Sequence, residues 1–454
     1  MSTGINIGKA IKILDEGVTL TSDVAQIDFT GTGVTATTSG NNVTVNVVGA
    51  TGVWGISNAS GVYTFYSTLT LAMAAAVAGQ TIELFADVTE TGNVTVNLKD
   101  GVNINLNGHT YTVDNAGTAN CLQDNGVAVN VSILNGIIKR VQGNASATNT
   151  LCLYVTGAST ILGDNLKLVQ VLNTLKVAMT INNANATVSG MYCIGGNPTI
   201  VVSAGRLLDS TAVSGNGGGI NNAGIIKNCY GRGINVYGIN NSGTAYNCIG
   251  EDFSVTGFNN TGYAFGCTGN GYTGYGAGGI NINCIGFSSA STGFYVNGGS
   301  QSYNCSGYST AGNGIYMING RISNCTAYSA AGNALGFTNS GSNVSLVYNC
   351  TLSSLAAATI NANNSTASCK IYNSFIECTW NNASGHGIVC NHNGLEIVNN
   401  SIIIANASAN AINAASAKTI SYANNAFKGA TTPVNANITQ GITNTHDNQG
   451  NILI

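Results

Sequence analysis

The sequence predicts an all-β solenoid: a parallel β-helix preceded by a small β-rich module and a short capping helix. Three observations carry this prediction. An asparagine-cysteine pair recurs at Asn228-Cys229, Asn247-Cys248, Asn283-Cys284, Asn304-Cys305, Asn324-Cys325 and Asn349-Cys350. Gly266-Cys267 keeps the cysteine alone, and successive cysteines stand 19, 19, 17, 21, 20 and 25 residues apart. Other positions keep step, which marks a structural repeat. Two residues past the first six of these cysteines come Gly231, Gly250, Gly269, Gly286, Gly307 and then Ala327, and the runs 288–294, 309–315 and 329–335 each lead from Ser to one large apolar residue. Composition is the third observation. Sixty glycines, two prolines and 7% charged residues stand against about 25% charged in ordinary domains. Gly and Asn disfavour helical repeats of similar length, while 44% hydrophobic content excludes disorder. Coils of short strands climb ~4.8 Å per circuit.

A net charge of −3 with 14 scattered basic residues leaves no electrostatic footprint for a phosphate backbone, so no nucleic-acid partner is expected. The longest apolar run, Leu71 to Ala78, is too short to span a bilayer. Met1-Ser2-Thr3-Gly4 lacks the basic and apolar regions of a secretory signal. The expectation is therefore synthesis in a cytoplasm, with 13 reduced cysteines. No cofactor is expected.

Residues 1–50 read as a separate β unit, with strands at Ala10 to Leu14, Val24 to Phe29 and Val34 to Val48, the last folded back at Ser39 to Asn42. The stretch from Ile11 through Thr21, followed by Ile27 through Thr37 and Gly40 through Val47, resembles a module found at the N-termini of bacteriophage virion fibre proteins. That resemblance implies docking of residues 1–50 on another virion protein. Residues 51–79 read as a linker and capping helix. The helix runs from Ser67 to Val77, starts at Thr68, ends at Gly79 and buries Leu69, Met73, Ala76 and Val77.

Residues 80–432 form the solenoid. Gln80 to Val88 and Leu98 to His109 resemble the opening of pectate-lyase-like right-handed parallel β-helices. Right-handedness follows from that resemblance and from the rule for parallel crossovers. Alternation places Val102, Ile104 and Leu106 inward, with Asn103, Asn105 and Asn107 outward. Coils of less regular length continue through residues 115–228, with strands at Val127 to Ile133, Ala186 to Cys193 and Thr199 to Val202. Ile138 to Arg140 and Lys167 to Lys176 read as solvated basic faces. The repeat persists through Tyr372-Asn373, Val398-Asn399-Asn400 and Ala423-Asn424-Asn425. Residues 433–454 lose the pattern and read as a C-terminal cap or tail. Circuits of 20 to 25 residues give about 15 coils and a rod of ~70 Å.

The cysteine ladder, Cys229, Cys248, Cys267, Cys284, Cys305, Cys325 and Cys350, reads as an inward stack of small hydrophobes. No metal is expected, since no close C-x-x-C pair supplies converging ligands. Asn228, Asn247, Asn283, Asn304, Asn324 and Asn349 are placed at left-handed corners, their amides bonding along the stack. Arg232 and Glu251 share an offset three past their cysteines, so an ion pair across adjacent coils is expected.

No residue is assigned to catalysis. The candidates are Glu377 and Glu396 as acid and base with His386 beside them, on neighbouring coils at the short limit of glycosidase spacing. They belong to the densest chemical neighbourhood, which also holds Cys378, Trp380, Cys390 and His392. A thiol reaction by Cys378 or Cys390 with His386 is disfavoured, because core cysteines are inert. Trp380, Tyr295 and Tyr316 are the candidates for binding, with Tyr263, Tyr272, Tyr275, Tyr308 and Tyr328 as further rings suited to sugar faces.

The resemblance to phage fibre and tailspike-type virion proteins implies a structural rod on the virion surface, a parallel homotrimer made in the host cytoplasm. Its N-terminus would dock and its flank would contact a host glycan, with attachment to the tail favoured over the capsid. An alternative is a polysaccharide depolymerase, glycosidase or lyase. A further one is a bacterial surface adhesin, disfavoured by the N-terminus and the cysteines.

Overall fold

The computed structural model describes residues 11–15, 18–24, 34–39, 42–47, 52–92, 94–114, 120–141, 151–171, 177–338, 344–363, 369–391, 393–440 and 452–453. Near the N-terminus Ile11–Asp15 pairs antiparallel with Val18–Val24. Val34–Ser39 pairs antiparallel with Asn42–Val47 as the turn chemistry predicted. Residues 25–29 of the predicted second strand lie outside the described residues.

The solenoid opens with a hairpin of Trp54–Ser57 and Tyr63–Tyr66, whose first strand also pairs antiparallel with Thr81–Leu84 of the first coil. The capping helix spans Leu69–Ala75, with the Thr68 hydroxyl accepting the Leu71 N–H at 3.2 Å. Leu69, Ala72 and Met73 are buried on it, and Ala76 just beyond it. Val77 was expected on that face. It lies past the helix end and is 59% exposed, because the chain turns extended at Ala76 and Ala72 takes the inward position.

From Thr81 onward the chain is a parallel β-helix of about 14 turns. One circuit comprises Phe294–Asn297, Gln301–Tyr303 and Ser306–Ser309, which stack in register on Ile315–Ile318, Arg321–Ser323 and Thr326–Ser329 of the next. Parallel crossovers wind right-handed. Alternate residues point inward, and Val102, Ile104 and Leu106 are buried as predicted. The winding continues past the predicted end. Ile438–Gln440 stacks on the strand Lys418–Ala423, and Ile452–Leu453 on Ala426–Lys428.

The corner between the second and third strands is a single left-handed residue. Asn228, Asn247, Asn283, Asn304, Asn324 and Asn349 hold φ between 50° and 55°, and Asn373, Asn399 and Asn424 extend the column. Gly266 (φ 63°) and Asp209 (φ 47°) occupy the same corner in their coils. Only short polar residues and glycine enter this region cheaply, which is why Gly266 replaces the asparagine without disturbing the repeat. Amides bond along the stack as expected at Asn349, whose Nδ2 donates to Asn324 Oδ1 at 2.6 Å, and at Asn228, which donates to Asp209 at 2.9 Å.

The residue after each corner is inward and buried. All thirteen cysteines are buried free thiols. The ladder does more than fill space: the Cys305, Cys325 and Cys350 thiols each donate to the carbonyl two residues back at 3.3 Å, across the corner. Ser210, Ser374 and Asn400 hold equivalent positions and make the same bond. Ser374 Oγ also accepts the Cys350 N–H of the preceding coil at 3.2 Å. The position therefore selects a small donor, and a thiol is the most apolar of these.

The glycine two residues further on has a different cause. A Cβ at Gly286 would lie 2.0 Å from the Gly293 carbonyl oxygen, and one at Gly307 2.3 Å from that of Gly314. Here two backbones of one coil touch with no side chain between them.

Beside the thiols runs a second buried ladder that sequence reading missed. Asn222 donates to Asn241 at 2.5 Å, Asn241 to Asn260 at 2.6 Å and Asn260 to Asn281 at 2.8 Å. Asn221, Asn240 and Asn259 form a matching outward ladder at 3.0 and 2.8 Å.

Two charge expectations fail. Arg140 is fully buried rather than solvated, because its strand position is inward. There it lies close to the Cys121 thiol. Arg232 and Glu251 oppose each other in register, yet the carboxylate accepts the Tyr230 hydroxyl and the guanidinium lies 5.8 Å over the Phe253 ring. Among the described residues Lys370 and Glu396 form an ion pair at 3.0 Å, and His109 Nδ1 lies 3.3 Å from Asp87 Oδ1.

Candidate functional site

Outward residues of one strand stack on those of the next coil, so any surface site is a column parallel to the solenoid axis. The neighbourhood of Glu377 and Glu396 does not converge in this geometry. Glu377 lies on a third strand, between Ser353 and Ile403. Glu396 lies on a second strand, between Lys370 and Ser421, on the other side of the asparagine corner. The chain separation of 19 residues is almost one circuit, but the coil here is longer, and the shortfall carries Glu396 to the neighbouring face.

Each candidate has local partners. Glu396 is paired with Lys370 at 3.0 Å. Burial pushes its carboxyl up, but hydrogen bonds from Tyr372 and Lys370 and the lysine charge outweigh that and hold it below its ordinary range. A carboxylate so held is a poor proton donor. Burial lowers the His386 imidazole, and its Nδ1 accepts the Asn410 N–H at 3.0 Å. Cys390 is buried and its thiol is pushed up to about 12 by burial. Cys378 is raised by the same cause and lies 3.2 Å from the Ala357 carbonyl. Trp380 is half-buried, packed on a small cluster of Cys378, Ile404, Ala409 and Ala430. His392 lies outside the described residues.

The tyrosines divide by face. Tyr275 is buried, stacked between Phe258 and Phe294 at 5.0 and 4.6 Å, so it belongs to the core and presents nothing to a ligand. Tyr295 and Tyr316 point outward from first strands and stack at 5.7 Å, with the Tyr316 hydroxyl 2.6 Å from Thr338 Oγ1. Tyr246 and Phe265 stack at 5.1 Å on second strands.

A third outward stack lies on third strands. Its column runs through Glu251, Asn270, Phe287, Tyr308, Tyr328, Ser353 and Glu377. Phe287 and Tyr308 stack at 5.2 Å with planes 14° apart, and Phe287 is 42% exposed. Beside these rings a groove of about 360 Å³ is lined by Asn270, Ser289, Thr310 and the two tyrosines. Sequence reading named Tyr308 and Tyr328 singly and missed Phe287. The signal was present: all three stand three residues past a ladder cysteine, the offset that relates Arg232 to Glu251.

The class these features define is the parallel β-helix. No family model matches the chain, and no curated protein matches it. Among solved structures it is similar to the A-module of mannuronan C-5 epimerase AlgE4 from Azotobacter vinelandii, with 10% identity, 82% of this chain and 94% of that one covered, and a TM-score of 0.24. It is similar also to ORF18 of Geobacillus virus E2, with 12% identity, coverages of 82% and 56%, and a TM-score of 0.20. A third is PfbA, a surface adhesin of Streptococcus pneumoniae, with 13% identity, coverages of 83% and 91%, and a TM-score of 0.21. Similarity at these levels carries no functional argument.

Proposed function

We propose that this chain is a fibre or spike subunit of a phage virion, docking through residues 1–50 and adhering to a host-surface glycan along its β-helical flank. The observation that carries the adhesive part is the set of outward aromatic ladders, Tyr246–Phe265, Phe287–Tyr308 and Tyr295–Tyr316, held in register by the coil. Aromatic rings with polar tips suit sugar, which is apolar on its C–H faces and polar at its rim. Docking is supported by the N-terminal sequence resemblance, and a homotrimer at the virion surface by the same family likeness.

Binding to host cells, compared with cells stripped of surface polysaccharide, tests adhesion. Equal binding to both would overturn it. Release of reducing ends or unsaturated sugars from that polysaccharide, abolished by Glu377→Gln, would instead favour the depolymerase.

A further inference from the structure

We propose that the groove over Phe287, Tyr308 and Tyr328 is a subsite for an uncharged glycan chain lying parallel to the solenoid axis, about one sugar per coil. This rests on the reading of the flank as glycan-adhesive and names the place and the ligand class. The three rings occupy one outward column on successive coils. Phe287 and Tyr308 stack at 5.2 Å, whereas carbon faces in contact lie ~3.5–4 Å apart, so the rings are slipped past each other and leave part of each face uncovered. A pyranose is about as long as one strand spacing, so an extended glycan keeps step with the column.

The polar complement is in place. The hydroxyls of Tyr308 and Tyr328 have no hydrogen-bond partner among the described residues. Asn270 and Ser289 border the groove and are exposed. Sugar hydroxyls satisfy such groups as both donors and acceptors.

Charge selects the class of sugar. None of the residues lining the groove is ionisable other than the two tyrosines. On the same column carboxylates close both ends: Glu251 one coil before Asn270, and Glu377 one coil beyond Ser353. The uncharged stretch from Asn270 to Ser353 covers four strand spacings, ~19 Å. A uronic-acid polymer following the column would meet a like charge at each end, whereas a neutral chain meets none.

The test uses the full chain on an array of neutral and uronate-containing oligosaccharides two to eight residues long. The expected result is retention of neutral chains that strengthens up to four or five residues. Phe287→Ala and Tyr308→Ala should each weaken it at least tenfold, while Tyr308→Trp restores binding and Tyr348→Ala, at an exposed ring outside the three ladders, leaves it unchanged. Asn270→Asp, at an exposed position that leaves the rings packed, should weaken neutral binding severalfold through its desolvation. Thermal melts of the variants separate lost binding from lost fold. Retention of neutral chains undiminished by Tyr308→Ala and by Asn270→Asp would overturn the groove and leave glycan adhesion standing. A preference for uronates would overturn the ligand class. Retention of nothing on the array, together with equal binding to stripped cells, would overturn adhesion and the groove together.

Discussion

At the scale of single residues, the repeat is a device for turning a corner. Asn304 supplies a left-handed φ of 53°, and Cys305 returns a hydrogen bond to the carbonyl two residues back. Asn304→Gly should therefore leave stability within a few tenths of a kcal/mol, as Gly266 does naturally. Asn304→Val should cost about 1–2 kcal/mol, read from the urea midpoint. Cys305→Ser should fold, since Ser210 and Ser374 hold the same place. Cys305→Val fills the space but removes the thiol's bond to the Tyr303 carbonyl, which keeps the Asn283 N–H, and about 0.5–1.5 kcal/mol should be lost.

Asp124 gives the residue scale its pH dependence. Its carboxylate accepts the N–H groups of Thr156 and Gly157 in the next coil at 2.9 and 2.8 Å and the Ser159 hydroxyl at 2.7 Å. Burial pushes this carboxyl up, but those bonds outweigh it and hold it below its ordinary range. A depressed folded value means the stabilisation is complete above the unfolded carboxylate pKa of ~3.9 and is lost as pH falls through the folded value. Asp124→Asn should lower the urea midpoint at pH 7. The difference from the parent should shrink below about pH 4; a constant difference would refute the assignment.

At the scale of the coil, sequence shows the period well and the circumference poorly. Identical offsets from the cysteine gave the corner and the small residue two places on, because stacking demands one residue type per position, and the alternation of Val102, Ile104 and Leu106 gave the inward face. The buried amide ladder was equally visible, as Asn221-Asn222, Asn240-Asn241 and Asn259-Asn260. It escaped because asparagine reads as turn chemistry, while here its amides bond to one another inside the core. The Glu377 neighbourhood failed for a geometric reason: coils of unequal length shift residues around the circuit, so spacing near one period does not fix the face. Arg140 failed because local charge says nothing of which way a strand residue points. The glycine contact yields the prediction for this scale. Gly307→Val forces a branched side chain against the Gly314 carbonyl. It should cost more than the ~1–3 kcal/mol of ordinary overpacking, measured by denaturant unfolding, whereas the same change at Gly298, where an added Cβ meets nothing, meets no packing clash and should cost only the strain of its left-handed φ.

At the scale of the whole molecule, each coil contacts its two neighbours and little else, so stability sums over coils rather than residing in one centre. The proposed attachment predicts that a chain lacking residues 1–50 keeps the β-sheet circular dichroism of the solenoid yet fails to enter particles. Incorporation of the truncated chain would refute docking there. The homotrimer is checked by light scattering on the purified rod.

The single-residue corner also makes length adjustable. Because Cys305 and Cys325 follow equivalent asparagines, removing residues 305–324 joins Asn304 directly to Cys325 and presents the next coil with the same surface to stack upon. The shortened chain should fold with one circuit fewer, ~4.8 Å shorter. Duplicating those residues should lengthen it by as much. Such a chain can change its reach in whole steps, without redesigning either end.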